Sequence, residues 1–127
     1  MGSYRTPLAR VRGLGSARQG TEHFWKQRLT AVSNLILVCF LIWLVVKLAG
    51  ADYATVRHTL ARPQNAIPLL LLVLSGVLHM RLGMQTIIED YVHSEGRKVV
   101  ALMLNSFFTM LVGLTCVFAV LKLSFGA

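Results

Sequence analysis

Residues 29–46 of the chain read LTAVSNLILVCFLIWLVV and contain no charged residue and no histidine. Two further apolar runs follow at residues 66–88 and 99–121, and only His79 and Arg81 interrupt them. A helix of about 20 apolar residues crosses the roughly 30 Å hydrocarbon core of a bilayer. The three runs therefore predict three transmembrane helices in an all-α integral membrane protein.

The composition of the 127 residues agrees with this prediction. Hydrophobic residues make up 55%, charged residues make up 14%, and the mean hydropathy is +0.63, whereas a soluble domain carries about 25% charge. Little amphipathic sequence remains to surround three apolar helices in a soluble bundle, and the runs lack the alternation of barrel strands. We expect a single membrane-anchor domain over residues 1–127, with a cytoplasmic tail at 1–28 and helices at about 29–48, 66–90 and 99–122.

The net charge of +8 predicts the orientation of the chain. Six of the thirteen basic residues lie in the first 28 positions, and Arg97 and Lys98 follow the second helix, whereas the opposite side carries at most four. Because basic flanks stay in the cytoplasm, we expect a cytoplasmic N-terminus and a C-terminus on the opposite side. No apolar stretch typical of a cleavable signal precedes residue 29, so the tail is expected in the mature protein. The orientation of the chain in the membrane explains its excess of basic residues, so nucleic acid is not an expected partner.

The second predicted helix carries most of the polar residues within the membrane segments. His79 lies just past the middle of its run, where an imidazole is costly unless it is paired or bound to a metal. Gly76 lies one turn before His79 and Gly83 one turn after it. These glycines suit either a flat group such as a porphyrin or close helix packing, and both interpretations stay open.

Asp90 and Tyr91 end this helix, with Asp90 about 16 Å along the axis from His79. A phenol can donate a hydrogen bond to a carbonyl that arrives from the lipid, and a carboxylate can relay protons from water. A tyrosine at this boundary is also a common interface anchor. Elsewhere in the helices we expect interhelical hydrogen bonds from Asn34, Asn105, Ser106 and Thr109.

The segment HMRLGMQTIIEDYV, residues 79–92, resembles the second helix of the small cytochrome b anchor subunit of succinate dehydrogenase, respiratory complex II. The segment GLGSARQGTEHFWKQRLTAVSN, residues 13–34, looks like the bacterial branch of the same subunit. The three-helix layout matches over nearly the whole chain. The resemblance implies a multi-pass protein of the bacterial inner membrane, or less readily of the mitochondrial inner membrane, in the tricarboxylic acid cycle and respiratory electron transport.

The resemblance also implies roles for individual residues. His79 matches the axial ligand to the iron of haem b, and a histidine of a sister anchor subunit supplies the second ligand. Tyr91 matches the tyrosine that hydrogen-bonds a ubiquinone carbonyl, with Asp90 in the same site. Residues that can meet haem propionates or pack the helices are Arg81, Gly83, His23 and Arg28. Arg81 lies about 200° around the helix from His79, and a lipid headgroup or a sister-subunit acid is an equally open partner.

The chain lacks a nucleotide-binding GxGxxG and a cysteine cluster for iron–sulfur, so we do not expect it to oxidise succinate alone. As a subunit of succinate:quinone oxidoreductase it would join a flavoprotein subunit, an iron–sulfur subunit and a second membrane anchor. Two alternatives from other classes stay open. One is a small structural or regulatory membrane protein without a cofactor, and the other is a transporter subunit with a polar path of His79, Arg81 and Asp90.

Overall fold

The computed structural model of the chain describes residues 6–12 and 19–126. In these residues it contains α-helices and no strand. The remaining residues of the predicted cytoplasmic tail, 1–5 and 13–18, lie outside the described residues. The described helices are α1 at Pro7–Val11, α2 at Gln19–Leu48, α3 at Tyr53–Ala61, α4 at Pro63–Tyr91 and α5 at Glu95–Phe125.

Helices α2, α4 and α5 are each long and apolar enough to cross a membrane, which confirms the predicted all-α, three-span architecture. Each of them extends past its apolar run into polar sequence. At 1.5 Å per residue, the 29 residues of α4 measure about 44 Å, against about 30 Å of hydrocarbon. The terminal turns therefore reach the headgroup layers, where water satisfies their polar side chains.

The connection between α2 and α4 contains the short helix α3, which the apolar pattern did not predict. Gly50 ends α2 with a φ of 79°, in the left-handed region that favours glycine, and so reverses the chain. Pro63 begins α4, where its missing N–H costs no hydrogen bond. The nine residues of α3, YATVRHTLA, mix polar and small side chains with a few apolar ones, so no apolar run marks the helix.

Helix α4 is the middle helix, because it packs against α2 on one side and against α5 on the other. A Cβ on Gly113 of α5 would lie 3.3 Å from Cγ1 of Val77, so the glycine allows a close approach between α4 and α5. Asn105, which is 9% exposed, donates a hydrogen bond from Nδ2 to the carbonyl oxygen of Arg81 at 3.0 Å. This contact confirms the interhelical role predicted for Asn105.

The other predicted interhelical hydrogen bonds are not made. Ser106 and Thr109 donate to carbonyl oxygens of their own helix, at Leu102 and Asn105. Oδ1 of Asn34 is buried without a partner among the described residues. A hydroxyl at i can reach the carbonyl at i−4 of the same helix, and this local acceptor needs no neighbouring chain.

The three membrane helices bury few residues against one another. Among the described residues, only Leu44, Ala66, Ile88, Asn105 and Thr109 are buried. Large apolar side chains such as Leu35, Leu78 and Phe107 are more than half exposed. The outer surface of this layer of helices is therefore apolar and suited to lipid or to a partner chain.

Candidate functional site

His79 is half-buried on the side of α4 that faces α2. Its Nδ1 lies 3.1 Å from Oγ1 of Thr30. The same Oγ1 lies 2.8 Å from the carbonyl oxygen of Lys26 and 3.0 Å from that of Gln27, one turn earlier in α2. A threonine hydroxyl has one proton, and the nearest acceptor is the Lys26 carbonyl. Oγ1 of Thr30 can therefore accept a hydrogen bond from Nδ1–H of His79.

A hydrogen bond in this direction corresponds to one tautomer of the His79 ring. A neutral imidazole with its proton on Nδ1 has a free lone pair on Nε2. Nε2 forms no hydrogen bond within the described part of the chain. In metal sites, a hydrogen-bond partner at the other ring nitrogen fixes the orientation of a histidine and makes it a stronger ligand. With the proton on Nδ1, Nε2 of His79 is the ring nitrogen that can accept a hydrogen bond or bind a metal.

The two glycines beside His79 have different surroundings. A Cβ on Gly76 would meet no heavy atom within 4 Å, so this turn of α4 is open to an external group. A Cβ on Gly83 would lie 4.0 Å from Nε2 of Gln27 in α2, so Gly83 faces the neighbouring helix. Gly76 is therefore the glycine that leaves room beside His79, and Gly83 belongs to the α2–α4 contact.

Asp90 and Tyr91 lie at the exposed end of α4, about 16 and 18 Å along the axis from His79. Tyr91 is 77% exposed, and its hydroxyl meets no partner within the described residues. Its carbonyl oxygen lies 3.1 Å from Nδ1 of His93, which can donate to it. Lys98 donates to the carbonyl oxygen of Glu89 at 3.1 Å and so joins α5 to the end of α4. Asp90 and Tyr91 are therefore accessible at the hydrogen-bonded connection between α4 and α5, and they do not contact His79.

His23 and Arg28 lie in the first turns of α2. His23 is half-buried, and its Nε2 is enclosed without a hydrogen-bond partner among the described residues. The guanidinium of Arg28 is exposed and lies 3.5 Å from the centre of the Phe24 ring. A cation on an aromatic face is stabilised by the ring quadrupole, so Arg28 has a local partner.

Arg81 lies on a different side of α4 from His79. The two residues are two positions apart, which is about 200° around the helix. The side chain of Arg81 is exposed and forms no ion pair or hydrogen bond to the described residues, although its carbonyl oxygen accepts from Asn105. His79, Arg81 and Asp90 are therefore not brought together into one cluster.

No group of three His, Cys, Asp or Glu side chains converges in the part of the chain that the structure describes. A complete metal-binding shell is therefore not formed by these residues, whereas an axial ligand requires only one imidazole. Thr30 is the site residue that the sequence pattern missed. It lies in an apolar run with no distinguishing spacing, and its position 49 residues before His79 gains meaning only when α2 packs on α4.

Comparisons with known proteins agree with the sequence resemblance. The model of the family described as succinate dehydrogenase/fumarate reductase transmembrane subunit matches residues 2–118. The succinate dehydrogenase hydrophobic membrane anchor subunit of Rickettsia bellii is 30% identical over 118 residues, which cover 91% of this chain and 94% of the relative. The same subunit of Paracoccus denitrificans is 30% identical over 124 residues, covering 98% and 95%. No solved structure matches the chain.

Proposed function

The chain belongs to the succinate dehydrogenase and fumarate reductase transmembrane subunit family, and from this premise we propose that it is a membrane anchor of succinate dehydrogenase. It is a protein of the bacterial inner membrane, in agreement with its three apolar helices and its relatives in Paracoccus and Rickettsia. In this role the chain attaches the succinate-oxidising subunits to the membrane and takes part in the transfer of electrons to ubiquinone.

We propose His79 as an axial ligand of haem b. The observation that carries this assignment is the Thr30 hydrogen bond to Nδ1, which leaves the Nε2 lone pair available at a membrane-embedded position. Gly76 adds an open surface one turn away. His79 is the one histidine within the apolar runs, so the residues present would fit a haem that is shared with a second chain and receives a further ligand from it.

Within this assignment each residue has a limited task. Haem b supplies reversible one-electron chemistry when bound. Thr30 would hold the imidazole in one tautomer and orientation through its contact with Nδ1. Of the further candidates, Gly83 packs against α2, and Arg28 is an exposed cation that can meet a carboxylate. His23 has an enclosed Nε2, and we assign it to the α2–α4 interface.

We propose that Tyr91 and Asp90 belong to the quinone-reduction site. The exposed Tyr91 hydroxyl can donate a hydrogen bond to a quinone carbonyl that approaches from the membrane. Asp90 is exposed beside it at the end of α4, where a carboxylate can pass protons from water toward the reduced carbonyl. Neither side chain completes a pocket within the described residues, so partner chains would supply the rest of the site.

The orientation that this function requires is a cytoplasmic N-terminus. The α4–α5 corner with Arg97 and Lys98 then lies on the same side as the basic tail, and the connection with α3 lies on the opposite side. Asp90 and Tyr91 thereby reach the cytoplasmic surface, where a flavoprotein subunit and an iron–sulfur subunit can dock. A second small membrane anchor would cover part of the apolar surface beside His79.

The test compares two tyrosines of equal exposure in the purified complex. Tyr91 is 77% exposed and Tyr53 is 76% exposed, but Tyr53 begins α3 at the opposite end of the helices. We expect Tyr91→Phe to lower succinate:ubiquinone reductase activity about tenfold, the effect of losing a hydrogen bond of about 1.4 kcal/mol. Succinate oxidation by a soluble artificial acceptor should be unchanged, and Tyr53→Phe should change neither activity.

Two results would contradict the proposal. Equal loss of both activities in Tyr91→Phe would mean that the tyrosine supports the assembly and not the quinone step. Purification of the chain in mild detergent without a flavoprotein, an iron–sulfur protein and a second small membrane chain would contradict the anchor function itself.

A further inference from the structure

A groove of about 570 Å³ lies between α2 and α4, and its lining includes Lys26, Leu29, Leu78, Arg81, Leu82 and Gln85. We propose that this groove, which we call the Arg81 groove, binds one anionic phospholipid of the cytoplasmic leaflet. The phosphate would lie at Arg81, and the start of an acyl chain would lie along the leucines. This proposal does not depend on the haem or quinone assignments.

Arg81 gives the groove its net positive charge. Nζ of Lys26 lies 2.5 Å from Oε1 of Glu22, one turn earlier in α2, so this cation is already paired. The guanidinium of Arg81 is exposed and has no ion-pair partner in the described ranges. An unpaired arginine in a membrane-spanning helix needs an anion or water. The lining of the groove includes no carboxylate, and the nearby Glu89 already accepts a hydrogen bond from Nε2 of Gln85 at 2.7 Å, so an anion for Arg81 would come from outside the chain.

The polar and apolar residues of the groove are separated along the membrane normal. The contacts of Thr30 with His79 and of Gln27 with Gly83 set the antiparallel register of α2 and α4. In this register Lys26 and Gln85 lie nearest the end of α4 that we assign to the cytoplasm, Arg81 follows, and Leu78 lies deepest. This order matches a phospholipid, whose phosphate lies above its acyl chains.

The depth of Arg81 agrees with a contact to a headgroup phosphate. Its Cα lies about 15 Å from the end of α4, and a helix centred in the bilayer projects about 7 Å beyond the hydrocarbon. Arg81 therefore begins about 8 Å below the hydrocarbon boundary, a distance that a long side chain can largely bridge by extending toward the surface. Trp25 is 68% exposed on the continuation of the groove, where tryptophan is typical of the membrane interface.

The position of the groove separates it from the proposed haem surface. His79 does not line the groove, although its partner Thr30 does, and Arg81 is about 200° from His79 around α4. Basic pockets between membrane helices on the cytoplasmic side are typical sites for anionic headgroups. An acyl chain would also contact the leucines of the groove, whereas a soluble anion or an acidic side chain would not explain their presence.

The experiment uses the complex that purifies with this chain in mild detergent, after its lipids have been exchanged for detergent. Phosphatidylglycerol or phosphatidylcholine is added back, and native mass spectrometry counts the lipids bound per complex. The variants are Arg81→Gln, Arg81→Lys and the control Arg97→Gln, which removes an exposed charge from the first turn of α5 on the same side of the membrane.

We expect Arg81→Gln to weaken phosphatidylglycerol binding at least tenfold and to leave phosphatidylcholine binding unchanged, whereas Arg97→Gln has little effect. Arg81→Lys should retain most of the affinity, which shows that the charge is responsible and that the complex is folded. Equal weakening in Arg97→Gln, or no change in Arg81→Gln, would overturn the proposal. Release of bound phosphatidylglycerol by inorganic phosphate would identify a soluble-anion site instead. Loss of the second membrane chain or of haem absorption in Arg81→Gln would identify a partner acid or a propionate as the occupant.

Discussion

The hydroxyl of Thr30 contacts Nδ1 of His79, and its removal tests whether this contact influences His79 as a haem ligand. Thr30→Val keeps the shape of the side chain and removes the acceptor that lies 3.1 Å from Nδ1. The Nδ1–H then has no acceptor at the α2–α4 contact, while His79 and its Nε2 remain. We therefore expect haem b to be retained with altered properties.

The expected magnitude follows from the energy of one hydrogen bond, which contributes about 0.5–1.5 kcal/mol. A hydrogen bond to Nδ1–H makes the imidazole a stronger donor and favours the more positive, oxidised iron. If the hydrogen bond is stronger by about 0.5–1 kcal/mol with oxidised than with reduced haem, its loss raises the one-electron midpoint potential of the haem by about 20–45 mV. Redox titration of the haem absorption in the purified complex measures this shift.

A matched control separates the cross-helix contact from a general effect of losing a threonine. Thr115 in α5 donates to the carbonyl oxygen of Leu111 at 2.8 Å, as Thr30 does to Lys26, but it is exposed and contacts no ring nitrogen. Thr115→Val should leave the potential unchanged, and Thr30→Ser should restore most of the wild-type value. A Thr30→Val complex with full haem content and an unchanged potential would refute the tautomer argument, as would an equal shift in Thr115→Val.

Three further predictions test the site and the packing around it. His79→Ala should remove most of the haem b absorption from the purified complex, and an unchanged reduced-minus-oxidised spectrum would contradict axial ligation. Gly113→Leu should overpack the contact with Val77 and lower the free energy of unfolding in detergent by about 1–3 kcal/mol. Gly76→Leu, at an open position, should lower the haem content without this loss of stability. Equal instability of the two variants would contradict the difference in their surroundings. Asn105→Leu should remove the hydrogen bond to the Arg81 carbonyl and lower the free energy of unfolding by about 0.5–1 kcal/mol in the same assay. Ser106→Ala, which affects only an intrahelical hydrogen bond, should lower it less. A larger loss of stability in Ser106→Ala would exclude Asn105 as a link between α4 and α5.

His79, Asp90 and Tyr91 are spaced on one helix, and spacing on a single helix can be counted without knowledge of its neighbours. The same counting predicted that Arg81 lies away from His79. It did not distinguish Gly76 from Gly83, because the two are related by seven residues and differ only in whether α2 covers them.

The interhelical hydrogen bonds were the least predictable part of the fold. Of the four polar residues expected to make them, Asn105 alone donates to another helix in the described structure. Ser106 and Thr109 satisfy their hydroxyls within α5, as an unpaired polar group in a membrane would be costly and the i−4 carbonyl is always within reach. Asn105 finds its acceptor on α4, whereas Oδ1 of Asn34 is buried without a partner among the described residues.

The sequence by itself determined the number and class of the helices, because the cost of exposing a backbone to hydrocarbon and the thickness of a bilayer set both the length and the composition of each run. It also located His79 and the Asp90–Tyr91 pair, since these are rare polar groups in an apolar chain. Only the tertiary structure decided that α4 lies between α2 and α5, that Thr30 meets Nδ1 of His79, and that Arg81 lines a separate groove. These features depend on how one helix is rotated against another. Apolar packing is only weakly directional, so the sequence does not determine this rotation, whereas small residues and single hydrogen bonds in the tertiary structure do.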